Sequence, residues 1–331
     1  MKRSLPVLAC GTLFLVTGNV SGQTSLTLYG IVDAGLVYER GAPAGSVTKL
    51  TGGVQSGSRL GFKGMEDLGG GLAAKFALEA GFNTDNGSLG QGGLLFGRQA
   101  WIGLGSRWGD LTFGRQHTPH YTLLDQVDPF RAGLAGTATN LMSTTTRMNN
   151  TVRLGSPDWR GFTGELAYGF GEVAGDSTAN RQLGASLGYA KGPLVLKIAH
   201  HRIEDAPGTD SARNTLLGGK FDFGVAAASL GVGLNRGTGT TDNRDYMLGV
   251  TVPVGAGAIL ASFTRKDDRT GLNADADQWA LGYTHALSRR TNVYTSFARI
   301  HNDPGAGFTV GNATEPGSGD KAFNIGIRYK F

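Results

Sequence analysis

The chain has 331 residues with 31 basic and 26 acidic side chains, 55 glycines, 10 prolines and one cysteine, Cys10. Its charges are interspersed along the whole length, which excludes a nucleic-acid module with cations and stacking aromatics gathered on one face. Glycine is more than double the roughly 7% of average proteins, but there is no G-X-Y period and little proline, which excludes collagen and Pro/Gly-rich disorder.

The chain opens Met1-Lys2-Arg3, passes through an apolar stretch from Leu13 to Val16 and reaches Val20-Ser21-Gly22. Two positive charges, a short apolar centre and a small-residue exit predict a secretory signal peptide over 1–22, cleaved after Gly22. Gly11, Thr12 and Thr17 interrupt that centre, so it is too short and too mixed to cross a bilayer as a helix. Cys10 precedes the apolar centre, which argues against a lipid anchor and leaves the mature chain without a thiol. Without Lys2 and Arg3 the 31 basic side chains become 29 against 26 acidic ones, a net charge of +3.

Residues 23–331 read as one domain of short alternating segments. The first sets Leu26, Leu28, Gly30, Val32, Ala34, Leu36 and Tyr38 against Thr27, Tyr29, Asp33 and Glu39. The next sets Leu60, Phe62 and Gly64 against Arg59, Gly61 and Lys63, and a third sets Leu72, Ala74, Phe76, Leu78 and Phe82 against Lys75, Glu79 and Gly81. Side chains of a strand alternate in direction, so each segment has one oily and one charged, wet face. The parity of 93–105 is ambiguous, because both of its faces are mixed. The last segment, Ala322 to Phe331, puts Phe323, Ile325, Ile327, Tyr329 and Phe331 on one side and Asn324, Gly326, Arg328 and Lys330 on the other. Its crowded terminal aromatics suit a membrane-interface girdle. Trp101, Trp108, Trp159 and Trp279 likewise fall near predicted strand ends.

Tight connections such as 66–70, 156–161, 190–193, 222–224, 254–257 and 288–291 alternate with long ones near 40–56, 83–92, 116–149, 171–180, 203–211, 236–243, 266–275 and 302–319. That alternation predicts an up-and-down antiparallel transmembrane β-barrel of sixteen strands with all long loops at one end. Lipid-facing and lumen-facing residues alternate in such a wall, so no long apolar run is needed. Closure also removes free sheet edges. Segment 116–149 is far longer than ordinary connections, which marks it as functional, and in a tube it can fold inward to narrow the bore.

Other chemistry finds little footing. His117-Thr-Pro-His120 and His200-His201 lack the carboxylate or cysteine company of a zinc site, so no metal or cofactor is expected. Gly69 to Ala74 and Gly169 to Ala174 fit a G-x-G-x-x-A spacing but lie among strand residues with no following helix, so both are turn or strand glycines. No P-loop, His-Glu-x-x-His or Gly-x-Ser-x-Gly pattern is present. A barrel enzyme such as an outer-membrane protease or lipase needs a His, Ser and Asp constellation that cannot be assembled. A secreted Gly-rich β-solenoid adhesin needs a fixed short repeat that is not found.

Several phrases together resemble the general diffusion porins of Gram-negative bacteria, in their beta-proteobacterial branch: Ser25-Leu-Thr-Leu-Tyr-Gly30, Ser58-Arg-Leu-Gly-Phe-Lys-Gly64 leading into Glu66 to Leu72, Phe96-Gly-Arg-Gln-Ala100, Gly109-Asp-Leu-Thr-Phe-Gly-Arg115, Leu281 to Thr291, and the Gly326-Ile-Arg-Tyr-Lys-Phe331 ending. The resemblance spans nearly the whole mature chain. It implies a non-enzymatic, water-filled outer-membrane channel, exported through the periplasm, for passive diffusion of ions and small polar solutes. It further implies a homotrimer among outer-membrane lipids and lipopolysaccharide, with a third long loop folded into the lumen.

By this resemblance Arg59, Arg98 and Arg147 form the basic side of the constriction, while Glu79, Asp125 and Asp128 are its acids. Arg131 stands where many relatives have glycine after the phenylalanine of the loop. Acids facing arginines across a bore would set up a transverse field that orients water and hinders bulky apolar solutes. Arg59, Lys63, Lys75, Arg98, Arg147 and Arg153 outnumber Asp33, Glu79, Asp125 and Asp128 on the wet side, which predicts a mild anion preference. Loop 83–92 with Asp85 resembles the loop that reaches over a neighbouring barrel, and Arg115 a residue that receives it. Phe331 resembles the terminal aromatic read by the barrel-insertion machinery.

Overall fold

The computed structural model describes residues 24–331. The expected signal peptide and Cys10 lie outside those residues. Seventeen strand segments make one closed antiparallel sheet: β1 (Thr24–Ala42), β2 (Gly45–Gly52), β3 (Arg59–Gly69), β4 (Leu72–Gly81), β5 (Gln99–Ser106), β6 (Gly109–His117), β7 (Arg147–Gly155), β8 (Phe162–Gly169), β9 (Gln182–Lys191), β10 (Leu194–Glu204), β11 (Ser211–Asp222), β12 (Ala227–Arg236), β13 (Asp242–Val254), β14 (Gly257–Asp268), β15 (Ala276–Ala286), β16 (Thr291–Asn302) and β17 (Lys321–Lys330). β2 and β3 both pair with β1, at Ala34↔Gly52 and Ile31↔Arg59, so they form one interrupted stave. The barrel therefore has sixteen staves. β1 also pairs with β17 from Ile31↔Lys330 to Arg40↔Lys321, which closes the sheet. Phe331 completes that seam, its N–H and C=O both bonded to Gly30 at 3.1 Å.

The first long connection is shorter than the sequence suggests. Alternation persists through Val47, Lys49 and Thr51, so β1 and β2 run on as a hairpin, with Lys49 paired to Glu39 at 2.7 Å. The chain leaves the wall only at 53–58. The ambiguous 93–105 region splits: 93–98 is not strand, and β5 then points Ile102 and Leu104 outward with Gly103 and Gly105 inward.

Large apolar side chains cover the outside, among them Leu28, Leu36, Leu187, Leu217, Leu248 and Ile325. A soluble protein rarely exposes apolar patches beyond a few hundred Å², so this belt is a lipid-facing surface. At the end carrying the short turns, Phe162 meets Tyr189 and Phe221 meets Phe223 at 4.7 Å, while Tyr329 stacks near Phe331, as an aromatic girdle requires. Gly69, Gly70 and Gly71 all take positive φ in one such turn, the conformation that glycine adopts without a Cβ penalty.

The apolar interior is made by the segment between β6 and β7. It starts with α1 (Pro119–Val127), capped by the Thr118 hydroxyl accepting the Tyr121 N–H and begun by Pro119. Leu123, Leu124 and Val127 of α1 pack with Ala199, Leu216 and Met247 of the wall. Phe130, Leu134, Ala135 and Leu141 pack with Leu260, Ala280, Tyr294, Ala298 and Ile300. Taking a large apolar side chain out of water contributes about 1.5–3 kcal/mol, so this docking is strongly favourable. The wall supplies room: a Cβ on Gly218 would meet Leu123 at 2.8 Å, and one on Gly249 would meet Pro129 at 2.3 Å.

Polar staples fix the same segment. The buried Gln278 accepts from Asn140 at 2.7 Å and donates to the carbonyls of Gly136 and Thr137 at 3.2 and 3.1 Å. Ser296 accepts the Ala135 N–H, and Asp245, paired to Lys266 at 2.6 Å, accepts the Ser143 N–H. From the opposite side the 53–58 excursion meets the loop tip, the Leu134 N–H donating to the Val54 carbonyl at 2.7 Å.

Candidate functional site

Docked this way, the loop occupies the side of the lumen against β8 to β17, and a polar cavity of about 840 Å³ remains between the loop and the opposite wall. The cavity is lined by Arg59, Arg98, Arg131, Arg147, Arg328 and Lys330. Among the described residues Asp125 is the one carboxylate on its lining.

Arg59 opens β3 and Arg147 opens β7, while Arg98 immediately precedes β5, so three alternate staves, starting at the same end of the barrel, bring the three arginines onto one cavity. Their packing is directed. Arg98 donates through Nε to Glu79 Oε1 at 2.6 Å and lies over Gly57 and Gly81, where a Cβ would stand 2.8 and 3.1 Å from it. Arg59 reaches the same carboxylate oxygen at 3.8 Å and donates through Nε to the Gly57 carbonyl. Arg147 donates through Nε to the Arg98 carbonyl at 2.9 Å. Tyr29 donates its hydroxyl to Glu79 Oε2 at 2.9 Å. Guanidinium groups keep their charge in proteins, so one buried carboxylate serves two of three adjacent cations and the wall stays positive.

The three acids take different positions. Glu79, on β4, sits among the arginines on their own wall. Asp128 is buried and does not line the cavity: its oxygens accept the N–H groups of Phe130, Ala132 and Ala138 at 2.9, 3.1 and 3.0 Å. Three convergent backbone donors claim it more strongly than the bore does. Burial pushes its carboxyl up to about 6 against the pull of those donors. Asp125 does face the cavity, but Arg131 pairs with it at 3.0 Å. Burial raises the Asp125 carboxyl above its ordinary range, while Arg131 and Arg59 pull it down. Among the residues that line the cavity, the acid that faces the arginines is thus Asp125, and it is paired with Arg131.

The other residues counted in the charge balance have local partners. Lys75 pairs with Asp110 at 2.7 Å, Arg153 with Glu165 at 2.5 Å, and Lys63 lies over the Tyr29 ring. Asp33 is buried, accepting from Tyr294, Gln55 and Ser56, and so anchors the 53–58 excursion. Asp85 accepts the Gly52 N–H, and Arg115 is held by the Gly97 carbonyl and Asn149.

A family model described as Gram-negative porin matches residues 7–305. The chain is 32% identical to an outer membrane porin protein of Bordetella pertussis and 31% identical to outer membrane porin protein 32 of Delftia acidovorans, in each case over all of both chains. The chain belongs to the Gram-negative porin family. Among solved structures, an anion-selective porin from Comamonas acidovorans superposes with a TM-score of 0.80 at 29% identity, covering 93% of this chain and all of that one. Salmonella typhi OmpF shares the fold at 16% identity, with a TM-score of 0.70 over 92% of this chain and 97% of its own. The protein is thus an outer-membrane channel for passive diffusion and not an enzyme.

Two cationic residues of the porin's cavity escaped the sequence reading. Arg328 and Lys330 stood on the wet face of the last strand, and that parity was the available signal; only closure against β1 brings them beside Arg59. Arg328 donates to Asn292 and Ser56 at 3.0 Å, which aims it inward. Arg131 was visible as an unusual residue, but its pairing with Asp125 depends on the turn between them.

Proposed function

We propose that the porin is mildly anion-preferring, with the space between the arginine wall and the inward loop as its constriction. The observation that carries this is the lining: six cationic side chains against one carboxylate, itself paired. In a narrow passage with low-dielectric walls, such an excess raises the local concentration of anions and repels cations. The polar lining suits small hydrated solutes. A reversal potential measured across a planar bilayer under a salt gradient should carry the sign of an anion-preferring pore; the opposite sign overturns the reading.

The same reading takes 1–22 as the signal peptide and the working assembly as a homotrimer among outer-membrane lipids and lipopolysaccharide. Support for the trimer comes from the family and from an OmpT structure of Vibrio cholerae described as a trimer form. Migration as a monomer in unheated detergent gels would count against it. Recognition of the last strand by the insertion machinery is supported by the position of Phe331, which ends the seam and fills the space over Gly30. Deleting Phe331 should lower the yield of assembled protein; an undiminished yield contradicts this.

A further inference from the structure

Arg131 lies in the left-handed backbone region at φ 55°, in a turn where Ala132 and Leu134 also have positive φ, 51° and 59°. The turn is imposed from outside Arg131. Asp128 gathers the N–H groups of Phe130, Ala132 and Ala138, the Asp128 carbonyl accepts the Arg131 N–H at 3.0 Å, and Val54 holds the Leu134 N–H. Glycine would take this conformation freely, whereas a residue with a Cβ is strained there by roughly 1–2 kcal/mol. A strained residue retained in a channel lining is a reason to look for a role in its side chain.

That side chain is largely exposed, at 62%, and among the described residues its ion-pair partner is Asp125, six positions back on α1. Both groups line the cavity. Asp125 is also the acid on which Arg59 of the opposite wall exerts a pull. Without Arg131, the loop would present a bare carboxylate to the arginines. It would then attract cations and cancel part of the wall's field.

We propose that Arg131 is a specificity-determining residue: by pairing with Asp125 it makes the inward loop tip electrically neutral, so that the arginine wall acts on passing ions unopposed. This rests on the anion-preferring reading above. The pair works through charge rather than shape, since a side chain this exposed supports little of the packing of the tip.

The test compares reversal potentials in a KCl gradient for the wild type, Arg131→Gln, Arg131→Lys and the double variant Asp125→Asn with Arg131→Gln. One unit charge several ångströms from the ion path in a watery lumen alters permeability about twofold. Arg131→Gln should therefore lower the chloride-to-potassium permeability ratio by about that factor. Arg131→Lys should stay near wild type, and the double variant should return to it. An unchanged ratio in Arg131→Gln overturns the proposal. So does a double variant that stays as low as Arg131→Gln, since the altered turn rather than the uncovered acid would then be responsible. The sign of the wild-type potential tests the anion-preferring reading separately, because the proposal concerns the displacement between variants.

Discussion

The two halves of the inner wall are built for different neighbours. Between β10 and β16 the inward positions that meet the loop between β6 and β7 include apolar or small residues, such as Ala199, Leu216, Gly218, Gly249, Ala280 and Ala298, and the loop packs on them. At β3, β5 and β7, and again at the end of β17, the inward positions that line the cavity carry Arg59, the flanking Arg98, Arg147, Arg328 and Lys330. A water-filled lumen offers a hydrophobic gain to any apolar loop residue that can leave it, while adjacent guanidinium groups need water and cannot be covered cheaply. The loop therefore goes to the apolar half, and the bore is left against the charged half. What positions a constriction here is the pattern of the wall as much as the loop itself.

The strongest attempt to break this contrast is Asp128→Ala. It leaves the N–H groups of Phe130, Ala132 and Ala138 without their acceptor, at about 1–3 kcal/mol for each of the two that are buried, Phe130 and Ala138. Loop 118–146 should then become accessible to protease and the single-channel current noisier, while the strand ladder still holds the barrel. A loop as protected as in the wild type would mean that the apolar contacts suffice alone.

Glu79→Gln attacks the other half, removing the buried counter-ion of Arg98 and Arg59. A loss on the order of 3 kcal/mol in barrel stability is expected, together with a stronger anion preference, read from thermal unfolding and from the reversal potential. A weaker anion preference would show that Glu79 is not what restrains the arginine field.

The smallest effect concerns pH. His120 is buried on α1, and burial, aided by His201 and His200 of the wall, pushes its imidazole down to about 3. A histidine depressed below its ordinary 6.5 binds its proton more weakly when docked than when free. The docked loop is thus fully favoured above pH 6.5 and progressively less so as the pH falls towards 3. Protease protection of the loop should decline over that window in the wild type and stay flatter in His120→Gln. An identical decline in both assigns it to other groups.

The sequence shows the barrel plainly because lipid and water impose a two-residue alternation on every stave, as in Leu26 to Tyr38 and Phe323 to Phe331. It shows the three arginines through the phrases around them. It does not show the partners of the acids, because a loop carboxylate's partner is settled by the turn in which it sits. Nothing in Asp128-Pro-Phe-Arg131 says that Asp128 will fold back onto the N–H of Ala138, nor that Arg131 will reach Asp125. The helix α1 had a local signal in Thr118-Pro119, obscured by the length of the connection. The 53–58 excursion rests on long-range bonds to Asp33 and could not be read locally.

On the anion-preferring reading, the wall of Arg59, Arg98 and Arg147 sets the charge preference of the pore. Neutralising Arg59, Arg98 and Arg147 together as glutamines, and comparing the reversal potential with wild type under one salt gradient, tests it most directly. The potential should shift from the anion-preferring side to near zero or beyond, with the barrel still migrating as a folded species. A triple variant with unchanged conductance and unchanged potential would show that these arginines do not set the preference, while leaving the fold intact.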